Sequence, residues 1–151
     1  MNLYEKIQAV RVELQNSNIK KSGMNKFAGY SYHELSDFLP TINILCQKHK
    51  LFAHVSFFSE NATLTIVDAE KPDSALYFNS PMAEANLKGC HPIQNMGAVQ
   101  TYQRRYLYMA AFEIVEHDAL DATTEPQKAV APPKPAPKAE KSPSMAVLPL
   151  S

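Results

Sequence analysis

The sequence predicts an α+β fold, and three observations carry that expectation. Apolar residues recur at helical spacing near both ends of residues 1–121, and short segments rich in β-formers lie between them. A proline-rich stretch then closes the chain.

Leu3, Ile7, Val10 and Leu14 define an amphipathic helix over residues 2–16, with Asn2 as its cap. Residues 16–29 are polar and basic, carrying Lys20, Lys21, Lys26 and two glycines, and predict a loop or a loop with a short strand. Ser31 and Glu34 stand at capping-box spacing before Leu35, Phe38, Leu39, Ile42 and Leu45, which repeat helically. Pro40 falls inside that second helix and is expected to kink or divide it. Segments 51–58, 62–69 and 75–80 predict an antiparallel meander of three strands, broken by Ser-Glu-Asn and Lys-Pro-Asp-Ser. Residues 81–92 read as a loop, and Pro92 opens a long helix reaching about Phe112.

The tail after Asp121 holds seven of the eleven prolines. It cannot bury enough surface to offset its ordering, so two regions are expected: a folded domain over 1–121 and a disordered Pro/Lys-rich tail over 122–151. The tail's end turns apolar at Met145, Val147, Leu148 and Leu150, which suits docking on a protein partner.

Formal charge is zero, so affinity for a polyanion must come from local arrangement. Residues 1–50 hold seven basic against four acidic side chains, and residues 51–91 hold two against five. The basic first third suits an anionic partner. Cys46 and Cys90 are far apart and outside any CxxC pair, which argues against a disulfide framework and for a reducing cytoplasm. No apolar run has the length of a membrane span, so no membrane association is expected.

The third helix carries the chemistry. At 100° per residue, Ala98, Val99, Tyr102, Tyr106, Leu107, Met109 and their neighbours share one broad apolar arc. The remaining arc brings Arg104, Gly97, Tyr108, Thr101 and Arg105 together. Guanidinium groups grip phosphates and stack on base planes, tyrosine offers a face for an unpaired base, and glycine admits close approach. Against this, the arginines could simply pair with Glu113 or Glu116 at the helix end.

The run Gln94-x-x-Gly97-x-x-x-Thr101-Tyr102-x-Arg104-Arg105-Tyr106 resembles the signature of the Erf family of phage single-strand annealing proteins. Tyr30-x-Tyr32, leading into the Pro40 helix, is similar to the family's other marker. The resemblance covers roughly residues 1–120 and leaves out the tail. It implies a sheet-and-helix domain distantly like the eukaryotic annealing mediators, and ATP-independent annealing in phage homologous recombination. It also implies a ring or filament of subunits with single-stranded DNA along a basic groove, and it adds Gln94 to the DNA-binding set. Two departures stand out: Gln103 replaces a usual small residue, and the acidic run after the helix is sparse.

Upstream, Lys20, Lys21 and Lys26 interleave with Tyr30 and Tyr32 as a second candidate lip, lysines on phosphates and tyrosines under bases. If the Tyr30–Tyr32 segment is extended, both rings point the same way. The expected DNA-binding set is therefore Lys20, Lys21, Lys26, Tyr30, Tyr32, Gln94, Thr101, Arg104, Arg105 and Tyr108. No catalytic residue, metal or cofactor is expected. The rival readings are a metal-dependent nuclease built on Glu113, Glu116, His117, Asp118 and Asp121, and a non-enzymatic adaptor working through the tail. With no phosphate-cradling glycine loop in the sequence, ATP-driven strand exchange is disfavoured.

Overall fold

Asn2 starts the first helix as the sequence predicts. Its Oδ1 accepts from the Glu5 N–H at 3.0 Å, and the Glu5 carboxylate accepts from the Asn2 N–H at 2.6 Å. This reciprocal box satisfies two amide donors that a helix start leaves open. The computed structural model of the protein describes residues 1–84 and 88–116. In it α1 spans Leu3–Gln15 and buries Leu3, Ile7, Val10 and Leu14.

A hairpin follows where a loop with a short strand was expected. Strands β1 (Gly23–Asn25) and β2 (Tyr30–Tyr32) pair antiparallel, with Gly23 opposite Tyr32 and Asn25 opposite Tyr30. Asn25 shapes the tip: its Oδ1 accepts from the Phe27 and Ala28 amides at 3.0 Å each. Gly29, at φ 74°, supplies the left-handed step that returns the chain to β2.

Helix α2 (Leu35–Lys48) corrects two expectations. Its cap is Glu34, not Ser31, which lies in β2. Asp37 reaches back to the Glu34 N–H at 2.8 Å and also accepts from the amide and hydroxyl of Ser22, tying the hairpin's entry to the helix. Pro40 does not divide the helix, which runs unbroken through it. The carbonyl that proline deprives of a partner belongs to Ser36, and Ser36 and Pro40 are both exposed, so water can satisfy it.

Strands β3 (Leu51–Phe57), β4 (Asn61–Asp68) and β5 (Lys71–Pro81) form the predicted meander in the order β3-β4-β5. β5 begins earlier than expected. Lys71 pairs with Asp68 while Ala75 pairs with Val67, so Pro72, Asp73 and Ser74 bulge out of the ladder rather than forming the turn. Helix α3 (Pro92–Phe112) starts at proline and ends at Glu113, whose φ of 55° gives a left-handed cap.

The three helices cover one face of the sheet. Ala62, Leu64 and Ile66 of β4 are fully buried beneath them, together with Val10, Phe38, Ile42, Ala111 and Phe112. Truncating Phe38 or Phe112 would cost about 3–5 kcal/mol. Lys6 is buried between α1 and the β4–β5 turn, 2.6 Å from both Asp68 and Glu70, and this ion triad fixes α1 against the sheet. Among the described residues no helix is long and apolar enough to cross a membrane.

Candidate nucleic-acid interface

The hairpin and the second half of α3 face each other across a cleft of about 730 Å³. Met24, Lys26, Phe27, Tyr30 and Tyr32 form one wall, and Tyr102, Arg105, Tyr106 and Met109 form the other, with Glu116 also on the lining. Of the residues singled out in the sequence, Lys26, Tyr30 and Tyr32 on the hairpin and Arg105 on α3, more than seventy residues apart in the chain, line this cleft.

Arg105 is its centre. Only 7 % of the residue is exposed, and its guanidinium carbon lies 4.8 Å from the ring centres of Tyr32 and Tyr102 and 5.1 Å from that of Tyr106. Three electron-rich faces therefore surround one cation, each contributing about 0.5–2 kcal/mol. Glu34 stands 3.9 Å from Nη1, and Nε has no hydrogen-bond partner among the described residues. Burial opposes the charge, but the Tyr106 hydroxyl and the Glu116 carboxylate favour it, and the balance leaves the Arg105 pKa raised. The Glu34 carboxylate also takes a hydrogen bond from the Tyr32 hydroxyl, which raises that phenol's pKa.

Tyr30 and Tyr32 both line the cleft, as alternation in an extended segment requires, with ring centres 6.4 Å apart and edge-to-face. Lys20 and Lys26 are exposed and Lys21 is half-buried. Of the three lysines, Lys26 lines the cleft.

The predicted polar face of α3 does not survive. Tyr108 is 2 % exposed and stacked on Phe112 with ring centres 6.1 Å apart, so it has no face to offer a base. Burial raises its pKa, and Arg104, which is exposed, lies beside its hydroxyl. The Thr101 hydroxyl donates to the Gly97 carbonyl at 2.9 Å. Gln94 caps the helix, its Oε1 accepting from the His91 N–H at 3.0 Å. Gly97 faces open space.

In their place the structure presents three aromatics outside the expected set. Tyr102 and Tyr106 are 55 % and 52 % exposed with ring centres 6.1 Å apart, and Phe27 at the hairpin tip is fully exposed. The i, i+4 spacing of Tyr102 and Tyr106 was the available signal, since it puts both rings on one side of a helix.

The acidic residues at the end of α3 are engaged elsewhere. Glu113 lies 3.7 Å from Arg11, whose Nε also donates to the Ala111 carbonyl at 2.9 Å and so caps the helix. The Glu116 carboxylate accepts the main-chain N–H of His33. Neither forms an ion pair with Arg104 or Arg105 among the described residues, although Glu116 is near enough to favour the Arg105 charge. His117, Asp118 and Asp121, the rest of the candidate metal cluster, lie outside the described residues.

No curated protein and no solved structure matches the chain. A family model does, over residues 3–146, which extends the resemblance past residue 120 and through most of the Pro/Lys-rich segment. The chain belongs to the ERF superfamily.

Proposed function

We propose that this protein binds single-stranded DNA along the cleft and, as a homo-oligomer, promotes annealing of complementary strands during phage recombination in the bacterial cytoplasm. The observation that carries the reading is the convergence of the Tyr30–Tyr32 hairpin and the Tyr102–Arg105–Tyr106 helix on one open, aromatic cleft with Lys26 at its lip. Stacking platforms beside scattered cations give sequence-tolerant affinity for unpaired strands. ERF membership supports the same reading.

Annealing of this kind needs no catalytic group. Duplex stacking supplies roughly 1.4 kcal/mol per step, so the protein has only to hold strands extended and release them as they pair. One domain with a single lysine on its cleft and two more just upstream in the chain holds a short stretch, so useful annealing requires several copies on one strand. The fold offers candidate surfaces for joining those copies. Among the described residues β3 and β5 are the sheet's edges, and the outer side of α1 exposes Tyr4 and Val12.

Titrating a labelled oligo(dT) with the protein, read by fluorescence anisotropy and mass photometry, tests this reading. Saturable binding with several subunits per strand is expected. Changing Lys20, Lys21 and Lys26 together to glutamate should weaken it and flatten its salt dependence by roughly 0.7 for each phosphate no longer neutralised. A protein that stays monomeric and ignores the oligonucleotide would overturn it.

A further inference from the structure

We infer that the cleft receives bases rather than phosphates, so that Arg105 meets the edge of an unpaired base while the sugar-phosphate backbone runs outside along Lys20, Lys21 and Lys26. This rests on the single-strand reading above and refines it.

Charge decides the orientation. The Arg105 guanidinium already has Glu34 at 3.9 Å, and Glu116 lines the same cleft and favours the same cation. A phosphate brought to Arg105 would therefore meet two carboxylates with it. In a partly dry site that repulsion offsets what one guanidinium returns. A base carries no net charge and escapes the penalty.

The walls fit a base as well. Tyr30, Tyr32, Tyr102 and Tyr106 present neutral aromatic surface, and the volume of about 730 Å³ lies in the usual range, roughly 300–1,000 Å³, of sites for small organic groups. Arg105 is more than nine-tenths buried, yet its Nε–H has no acceptor among the described residues. A buried donor without a partner is costly, and the Arg105 guanidinium, which lines the cleft, can donate to a base carbonyl or ring nitrogen without adding charge. Lys20 and Lys26, by contrast, are exposed and hold no carboxylate in an ion pair among the described residues, so they can follow phosphates.

One consequence concerns mechanism. A base held in the cleft is withdrawn from pairing, so each subunit would hold its strand by the few bases it captures and leave the intervening ones open to a complement. Captured bases must leave the cleft before the duplex closes.

Two oligonucleotides of equal length and charge separate the possibilities, one of thymidines and one of abasic tetrahydrofuran units. At fixed salt, wild-type protein should bind the thymidine strand at least about tenfold more tightly. Tyr102→Ala removes a half-exposed ring at the cost of one contact with Arg105, so its thermal unfolding is read on the same variant to confirm that it folds. It should cut affinity for the thymidine strand several-fold and leave the abasic strand unchanged. Equal binding of both strands by wild type would overturn the base-in orientation while leaving single-strand binding intact. A Tyr102→Ala variant that weakens both strands in proportion, or that keeps the full preference for bases, would also overturn it. Binding to neither strand would remove the functional reading itself.

Discussion

The Tyr32 ring lies flat across Gly23, its partner in the hairpin register, leaving no room for a side chain there. A Cβ at position 23 would stand 2.7 Å from both Cδ2 and Cζ of the ring. The ring is not free to swing clear, because the Arg105 guanidinium sits 4.8 Å from its centre and Glu34 lies beside its hydroxyl. Gly23 is thus what lets the hairpin wall close on the cleft floor. Gly23→Ala should cost about 1–3 kcal/mol of stability and weaken single-strand binding together, as overpacking does. Thermal unfolding and anisotropy on the same variant check this. Unchanged values in both would show that the ring is not confined.

The two adjacent arginines should behave differently. Arg105→Lys replaces a planar group touching three rings with a compact ammonium, and a loss of about 1–3 kcal/mol is expected. Arg104→Ala removes an exposed side chain and should leave stability within about 0.5 kcal/mol. Any effect of Arg104 on DNA binding should appear as a salt slope smaller by roughly 0.7. Equal destabilisation by the two substitutions would contradict the separation of their environments.

Acid should loosen the packing of α1 on the sheet. The hydrogen bond from Lys6 holds the Asp68 carboxyl below its ordinary value of 3.8, despite burial. A depressed folded-state pKa gives stability that is full above pH 3.8 and lost as pH falls through the lower folded value. Lys6 shifts the other way: hydrogen bonds to Asp68 and then Glu70 raise it above 10.5. Its contribution is full below pH 10.5 and is lost as pH climbs through the raised value. Asp68→Asn should therefore lower Tm near neutrality, with the gap to wild type narrowing below pH 3.8. A gap independent of pH would show that the triad is not ionised as described.

The Pro/Lys-rich segment lies outside the described residues but mostly inside the family match. We propose that removing residues 124–151 leaves folding and annealing in vitro intact while impairing recombination in cells. Changing Met145, Val147, Leu148 and Leu150 to serine separates docking by the apolar end from tethering by the segment's lysines. Normal recombination by that variant would dispose of docking. Loss of annealing in vitro on deletion would instead make the segment part of the working domain.

Local features of the fold were legible in the sequence, and long-range cover was not. Leu3, Ile7, Val10 and Leu14 announce α1, and Pro92 marks the start of α3, because both signals act within one element. That Pro40 would not divide α2 was illegible, because its cost depends on whether the carbonyl it orphans can reach water, and the exposure of Ser36 lies beyond any local pattern. Arg105 and Tyr108 sat on the polar arc of the helical wheel and are buried in the fold. The hairpin around Tyr32 covers Arg105, and no periodicity within α3 reports a hairpin seventy residues earlier. The same blindness hid Tyr102 and Tyr106, which count as apolar on a wheel yet stand half-exposed beside the cleft.

The most direct test of the central claim is the annealing rate of two complementary labelled strands, followed by energy transfer with a chelator present and no nucleotide. Wild-type protein is expected to speed annealing well above the spontaneous rate, and Tyr102→Ala and the Lys20/Lys21/Lys26 triple glutamate variant should each lose most of that gain. A rate equal to the spontaneous one would contradict it, as would full activity in both variants.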